Sequence, residues 1–352
     1  MALESFTLPD LMRSPAAVTA SYLRELLHDT RNDTALRAAG IDPVRLQQDS
    51  RYRVPLYQAY ALLAANITAS GDPLLALRQA RELSLKAFPL LGMGLLASTT
   101  LEDGLQRLIE LDPLIWDAVS LRLDIPSERS GEAALTMTPR QPLPPAGIEL
   151  ALAGWVQLGP TLWQIMEGHY RLAFRHAARA PVADYEALFG CPVSFDADVD
   201  ALYFPAAWLD HRLDLSDPGT SAVIMQEARR QLAQPLLLNL ENHLRAVCFQ
   251  ALPGSLPDLP GLATALGLPP RQLRQYMGEH NIRLRDLQDD VRRAAALLWI
   301  DNEKIDISAM AQACGFSEQS AFQRAFRRWT GETPGQWRQR ERKDLIIDPF
   351  FA

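Results

Sequence analysis

Residues 306–338 read DISAMAQACGFSEQSAFQRAFRRWTGETPGQWR, and this stretch predicts a helix, a tight turn and a second helix. Asp306 is of a residue type that caps helix starts. Gly315 stands where the first helix must end in a left-handed conformation, which glycine adopts most easily. The second helix is expected to begin near Ser317. The local signals in this stretch therefore support one another along its whole length.

The second of these helices has one apolar and one polar face. At about 100° per residue, four apolar side chains fall on one side: Phe322, Ala325, Phe326 and Trp329. The opposite side carries a hydroxyl, an amide and two guanidinium groups, from Ser320, Gln323, Arg324 and Arg327. Arg can bind guanine through two hydrogen bonds, and Gln can bind adenine. The pattern predicts a helix that contacts DNA.

A second copy of the pattern lies upstream, where residues 259–277 read LPGLATALGLPPRQLRQYM. Its Ala263 and Gly267 are spaced as Ala311 and Gly315 are, 48 positions earlier. Three polar side chains occupy the outer face of its second helix: Arg271, Arg274 and Gln275. One charged helix face is as often a solvated surface as a binding surface. A repeated pair favours two helix-turn-helix units, at residues 259–277 and 306–328.

A helix over residues 284–302 is expected to join the two units. Leu284, Leu287, Val291 and Leu298 lie on one stripe, and polar residues occupy the rest of the surface. Such a helix is a rigid strut of about 25 Å. It would hold the two DNA-contacting helices about 34 Å apart, which is one turn of the duplex. One subunit would then occupy two successive major grooves.

The run from Ile305 to Arg338, with Gly315, Phe316, Phe322, Gly331, Pro334 and Trp337, resembles the signature of the AraC/XylS family of bacterial transcription regulators. The resemblance covers about the last hundred residues and implies an all-α domain that binds double-stranded DNA. It also implies that six side chains face bases: Arg271, Arg274, Gln275, Ser320, Gln323 and Arg324. Arg327 is expected to contact phosphate. One departure is Pro269-Pro270, where a Ser or Thr cap is common; the missing cap is expected to loosen the helix start.

The rest of the chain predicts an α+β domain. Residues 1–60 are predicted to be helical with a break at Gly40 and Pro43, and Val18 and Tyr22 lie on one apolar stripe. Further helices are expected over 56–69, 74–88, 148–166 and 181–189. Alternating patterns predict strands over 118–125 and 132–138, which a polar turn joins into a predicted hairpin, and over 169–176, 192–195 and 201–204. The motifs AGIDP (39–43), GDPLLALR (71–78) and GMGLLASTTL (92–101) resemble the arabinose-binding-type N-terminal domain of one AraC/XylS subgroup.

Residues 92–97 also match the dinucleotide fingerprint GxGxxG/A. That motif should follow a strand, whereas here a helical pattern and Pro89 precede it. We therefore do not expect a nucleotide cofactor, or any other cofactor.

The charge of the chain is unevenly distributed. The net charge is −7, but residues 251–352 carry 14 Lys and Arg against 13 Asp and Glu, so the acidic surplus lies in the first 250 residues. DNA contact must then depend on a locally basic face, which we assign to Arg271, Arg274, Arg324, Arg327, Arg328 and Arg338. The surplus of acid favours a cationic or amphipathic effector, including lipid-like molecules, for the N-terminal domain.

Trp155 and Trp163, with Tyr170 and Phe174, are candidates to line an effector pocket, although an ordinary hydrophobic core is the more common reason for such residues. The sequence does not identify the effector. It shows neither an export signal nor an apolar run of 18 residues, so a cytoplasmic protein without a membrane span is expected.

Catalysis finds little support. The six histidines have no metal-binding spacing, no GxSxG or phosphate-loop motif occurs, and Cys191, Cys248 and Cys314 form no CxxC pair. The alternative is a DNA-binding domain fused to an enzymatic or repair-type domain with a reactive cysteine, for which Cys191 is the best candidate. A purely architectural DNA-binding protein is a third class.

The predicted organisation is an effector-binding and dimerisation domain over residues 1–231 and a DNA-binding domain over 232–352, whose first helix spans 235–249. A homodimer with RNA polymerase as a partner is expected, acting as an activator or as a repressor of transcription.

Overall fold

The structure is a computed structural model that describes residues 8–27, 32–84, 87–96, 98–163, 169–213, 218–300, 302 and 305–339. The chain divides into two compact units. The first contains residues 16–235, and the second contains residues 236–339 together with residues 8–15. Among the described residues, no helix is both long enough and apolar enough to cross a membrane.

The first element, α1 (Leu8–Met12), belongs to the second unit. The first unit then contains, in chain order, β1 (Ala17–Thr19), α2 (Ala20–Leu26), α3 (Asp33–Ala38), α4 (Pro43–Gln48), β2 (Arg53–Pro55), α5 (Leu56–Ser70), α6 (Leu75–Ala80), α7 (Pro89–Leu96), α8 (Leu101–Leu111), β3 (Val119–Asp124), β4 (Glu132–Pro139), α9 (Pro145–Trp163), β5 (Arg171–Ala173), α10 (Val182–Phe189), β6 (Val193–Ser194), β7 (Asp200–Pro205) and α11 (Pro218–Leu232).

Two sheets organise the described part of the first unit. The larger has the strand order β3-β4-β7-β5-β6, in which β5 and β6 run parallel and the other neighbours run antiparallel. The predicted hairpin is the β3–β4 pair, with Val119 opposite Pro139 and Asp124 opposite Ala134. The smaller sheet pairs β1 with β2 antiparallel. The mixed α and β composition predicted for this part of the chain is therefore confirmed.

The prediction that residues 1–60 are helical is wrong at two places. Val18 lies in β1 opposite Val54 of β2, and α2 begins only at Ala20, where the Thr19 hydroxyl accepts a hydrogen bond from the Tyr22 amide. Strands of three residues are too short to show an alternating pattern. Helix α6 is also shorter than the predicted helix over 74–88, because it ends at Ala80.

The second unit is all helical in its described residues. After α1 it contains α12 (Pro235–Leu238), α13 (Leu240–Ala251), α14 (Leu259–Ala265), α15 (Pro270–Glu279), α16 (Leu284–Trp299), α17 (Ile307–Ala313), α18 (Gln319–Thr330) and α19 (Pro334–Gln339). The single helix predicted over 235–249 is two helices, separated at Asn239. The Asn239 side chain is buried and donates a hydrogen bond of 2.6 Å to the Pro15 carbonyl, so a distant contact accompanies the break.

Residues 8–15 pack within the second unit although they begin the described chain. Leu11 and Met12 of α1 are buried, and Gln250 of α13 donates a hydrogen bond of 3.1 Å to the Arg13 carbonyl. The units separate between residues 235 and 236. The predicted domain limits, 1–231 and 232–352, stay a prediction about which segments fold on their own.

Candidate nucleic-acid interface

The two helix-turn-helix units repeat the same local structure. Asp258 caps α14 by accepting a hydrogen bond from the Gly261 amide at 2.9 Å, and Asp306 caps α17 by accepting one from the Ala309 amide at 2.7 Å. Both first helices end in a glycine of positive φ, at 66° for Gly267 and 74° for Gly315. Each turn is closed by a backbone bond of 2.9 Å, from Leu268 to Ala263 and from Phe316 to Ala311. These pairs are 48 residues apart, the offset seen in the sequence.

The helices that follow the turns, α15 and α18, are the recognition helices of the two units. Each is fixed by side chains that are buried in the second unit. In α15 these are Leu273 and Met277, and in α18 they are Phe322, Ala325 and Phe326. This amphipathic packing orients the remaining face of each helix outward.

All seven side chains predicted to contact DNA are exposed: Arg271, Arg274, Gln275, Ser320, Gln323, Arg324 and Arg327. Among the described residues, Gln323 and the four arginines have no hydrogen-bond or ion-pair partner. Gln275 donates a hydrogen bond to Glu279 at 2.9 Å, and Ser320 donates one to Glu318 at 3.3 Å. Exposed guanidinium groups without intramolecular partners are free to bind phosphates or base edges. Their individual roles stay a prediction.

Two other arginines of the predicted basic face are committed to intramolecular contacts. Arg328 donates hydrogen bonds of 2.6 and 2.8 Å to the Asp289 carboxylate on α16. Arg338 donates hydrogen bonds of 2.7 and 2.6 Å to the carbonyls of Ile300 and Ile305. The basic face that is available to DNA is therefore narrower than the sequence suggested. The sequence could not show this, because the partners of both arginines lie more than 30 residues away in the chain.

Helix α16 is the predicted strut between the units. It ends at Trp299 rather than at residue 302, and its 16 residues span about 24 Å. Arg245 on α13 donates hydrogen bonds to Glu241 at 2.8 Å and to Asp290 of α16 at 2.9 Å, with only 7% of Arg245 exposed. A largely buried arginine between two carboxylates fixes the strut against α13.

The structure gives the enzymatic alternative no support. Cys191 is buried, and burial raises the pKa of its thiol to about 12, so the thiol stays protonated at neutral pH and is a poor nucleophile. Gly92 and Gly94 of the fingerprint-like run lie inside α7 and not in a turn after a strand. Within the described ranges, no three His, Cys, Asp or Glu residues are placed to hold a metal ion.

Two of the predicted pocket residues, Tyr170 and Phe174, both contact Phe189, whereas the described ring contact of Trp155 is with Phe88. Trp155 packs against Phe88, with 5.8 Å between ring centroids. Phe174 instead stacks on Phe195 at 5.4 Å, and the Tyr170 hydroxyl donates a hydrogen bond to the Phe189 carbonyl. The Trp163 side chain lies outside the described residues.

Sequence reasoning missed a pair of small cavities in the first unit. Both are lined by Val18, Tyr22 and Trp116, and one of them also by Asp112 and Trp155. These residues come from distant parts of the chain and share no spacing.

The fold and this surface together define a DNA-binding transcription regulator with a mixed α/β unit ahead of a helical unit. Residues 31–213 match the sequence profile described as "Arabinose-binding domain of AraC transcription regulator, N-term", and residues 262–340 match that of a "Helix-turn-helix domain". The chain belongs to the AraC family of transcription regulators, as its motifs implied.

Named relatives carry the same description. The chain is 28% identical over 277 residues to the "Ornithine utilization regulator" of Pseudomonas aeruginosa, which covers 76% of this chain and 79% of that protein. It is 29% identical over 209 residues to the "HTH-type transcriptional regulator VirS" of Mycobacterium tuberculosis, covering 57% and 58%. The solved structure of transcriptional regulator CdpR from Pseudomonas aeruginosa covers 88% of this chain and 96% of that one, at 18% identity and a TM-score of 0.43.

Proposed function

We propose that the protein is a sequence-specific transcription regulator whose two recognition helices enter successive major grooves and whose first unit binds a small-molecule effector. The observation that carries the proposal is the repeated helix-turn-helix unit joined by the strut α16. Both recognition helices carry exposed arginines that have no hydrogen-bond or ion-pair partner in the described part of the chain. Because the proposed target is DNA, we propose that the protein acts in the bacterial cytoplasm.

In this proposal the side chains divide by role. Arg271, Arg274 and Gln275 of α15, with Ser320, Gln323 and Arg324 of α18, contact base edges. Arg327 lies one turn further along α18 than Gln323 and binds phosphate. Base contacts give sequence preference, whereas phosphate contacts give affinity that falls with salt.

The effector is proposed to be cationic or amphipathic. The surplus of acid in the first 250 residues supports this, as does the similarity to a protein named for ornithine utilization. Effector binding is proposed to shift the populations of a homodimer between states that present the recognition helices differently to DNA and to RNA polymerase.

The proposal is tested by selecting bound sequences from a random DNA library with the full-length protein and footprinting the selected site. We expect an enriched motif and protection of bases in two major grooves one helical turn apart per subunit. Binding without an enriched motif would instead identify an architectural DNA-binding protein. Addition of L-ornithine, other amino acids and amines to the same footprint tests the effector.

A further inference from the structure

We propose that the first unit binds an amphipathic amine, with its ammonium group beside the Asp112 carboxyl group and its apolar chain in the cavities lined by Val18, Tyr22 and Trp116. This inference rests on the proposed function, because it names the site and the chemical class of the effector.

The cavities are lined almost wholly by apolar side chains. Their volumes are about 30 and 20 Å³, so each is only large enough for one or two molecules the size of water. The larger is lined by leucines of α2 and α5: Leu23, Leu26, Leu27, Leu56, Leu62 and Leu63. A chain of several carbons therefore enters by displacing aliphatic side chains, which change rotamer easily and favour an apolar ligand.

Asp112 is the polar group that the packing of the unit does not explain. It is 3% exposed and lines the smaller cavity, yet its carboxyl group forms no hydrogen bond or ion pair with another described residue. A buried carboxylate without a partner is strongly destabilising. Burial accordingly raises the pKa of Asp112 well above its ordinary value of 3.8, despite nearby arginines. An ammonium group would supply a cation in direct hydrogen-bonding contact with the carboxyl group, which neither arginine does.

The two nearby guanidinium groups are held by other acceptors. Arg53 of β2 donates hydrogen bonds to the carbonyls of Leu114 at 2.7 Å and Pro113 at 3.3 Å, and lies 3.8 Å from the Asp117 carboxylate. Arg140 donates a hydrogen bond to the Val119 carbonyl at 2.8 Å. Since Arg53 holds the turn that follows Asp112, the position of the carboxyl group is fixed before a ligand arrives.

The other walls of the cavity suit an ammonium group. Tyr22 meets Phe88 edge to face, with centroids 5.5 Å apart, and Phe88 packs on Trp155. Aromatic faces attract cations, particularly where water is excluded. Trp155 lines the same cavity and adds a further aromatic ring to its wall. The aromatic lining therefore suits a cation held beside the Asp112 carboxyl group.

The test is to titrate the full-length protein with hexylamine, 1-hexanol and hexanoate at pH 7, using calorimetry and the tryptophan fluorescence of Trp116 and Trp155. We expect hexylamine to bind at least about tenfold more tightly than 1-hexanol and hexanoate. Asp112→Asn should weaken hexylamine binding at least about tenfold. Asp124→Asn removes a carboxyl group from an exposed ion pair with Arg122 and serves as the matched control.

A second variant does not depend on the charge. Gly154 on α9 lines the cavity, and a Cβ there would meet Leu83, Phe88 and Tyr22 at ordinary contact distances of 3.8–3.9 Å. Gly154→Ala is therefore expected to fold, and it should weaken hexylamine binding by reducing the cavity.

The proposal is overturned if hexylamine does not bind, or if Asp112→Asn binds it as tightly as the wild type does. Footprinting of the wild-type protein on its selected DNA site separates this result from the proposed function. Failed amine binding with an intact footprint overturns the amine site alone. Loss of a sequence-specific footprint overturns the regulator assignment, on which the amine site rests.

Discussion

The two helix-turn-helix units share a pattern but differ in how firmly they are held. In the second, five aromatic rings form a connected cluster with neighbouring centroids 5.6–6.1 Å apart: Phe316, Phe322, Phe326, Trp329 and Trp337. In the first, the buried side chains are aliphatic or small, with Leu262, Ala263, Leu273 and Met277. Aromatic side chains bury more surface than aliphatic ones, so the second helix-turn-helix unit is expected to be more rigid than the first.

The strut α16 makes more specific contacts with the second helix-turn-helix unit than with the first. Asp289 of α16 accepts hydrogen bonds from Arg328 and from the Trp329 indole nitrogen at 2.9 Å, and the Arg292 guanidinium lies 5.3 Å from the Phe316 ring centroid. On the other side, Gln288 of α16 donates a hydrogen bond of 2.9 Å to the Pro257 carbonyl. We infer that the second helix-turn-helix unit and the strut form one rigid element, whereas the first helix-turn-helix unit adapts to DNA.

The missing helix cap does not account for this difference. Pro269 precedes α15 and Glu318 precedes α18, and neither side chain caps its helix. The departure from the family pattern at Pro269 is therefore matched by an uncapped start in the second unit, and the contrast between the units lies in their packing.

The largest expected effect comes from replacing the turn glycines with alanine. A Cβ on Gly315 would lie 3.1 Å from the Leu252 side chain and 3.2 Å from the Gly254 carbonyl, whereas one on Gly267 would meet no atom within 4 Å. Both changes place alanine at positive φ, which costs about 1–2 kcal/mol. The close contacts should raise the loss of unfolding free energy for Gly315→Ala to about 2–4 kcal/mol. Urea denaturation measures both, and equal losses would contradict the packing difference.

Much of the helical C-terminal unit, which contains both helix-turn-helix units, could be predicted from the sequence because its signals are local. The Asp caps, the turn glycines and the amphipathic faces of α15 and α18 each lie within a few residues, and the 48-residue repeat strengthened them. The contacts of Arg328 and Arg338 could not be predicted, since their partners lie on or beyond α16. An exposed arginine and an arginine bound to a distant carboxylate look the same in a sequence.

The N-terminal compact unit, residues 16–235, was harder still to predict from the sequence. The β3–β4 hairpin was predicted because a short turn joins its strands. The pairing of β1 with β2 joins residues 36 apart, Val18 and Val54, and was missed. The cavity beside Asp112 gathers Tyr22 and Trp155 from still greater separations. Sites built from single residues on many elements have no sequence period to reveal them.

The next effect concerns the base-contacting arginines. Arg324→Ala should weaken binding to the selected DNA site by about 1–3 kcal/mol and relax the preference at particular base positions. Arg271→Ala should act in the same way at the other half of the site. If the first helix-turn-helix unit adapts to DNA, Arg271→Ala should weaken binding less than Arg324→Ala does. Binding titrations against single-base variants of the site measure both, and an unchanged preference would contradict base contact.

A smaller effect is expected from the link between α16 and α18. Asp289→Asn removes the ion pair with Arg328, whose side chain is 62% exposed, so the loss of unfolding free energy should be only about 0.5–1 kcal/mol. Because Asp289 positions the second recognition helix, affinity for the selected site should fall while nonspecific binding persists. Asp286→Asn is the matched control, since Asp286 is exposed and lies 3.9 Å from Arg283. Equal results for the two variants would rule out a positioning role for Asp289.

The smallest effect on sequence preference is expected at Arg327. A contact to phosphate carries no base information, so Arg327→Ala should weaken specific and nonspecific binding alike, and the logarithmic salt dependence of binding should become shallower by about one. Arg328→Ala is the matched comparison on the next residue, because its guanidinium already pairs with Asp289 and should leave the salt dependence nearly unchanged. Affinities measured between low and physiological salt separate the two. If Arg328→Ala reduced the salt dependence of binding more than Arg327→Ala, the ion pair with Asp289 would have to open on DNA. The second helix-turn-helix unit would then be as adaptable as the first.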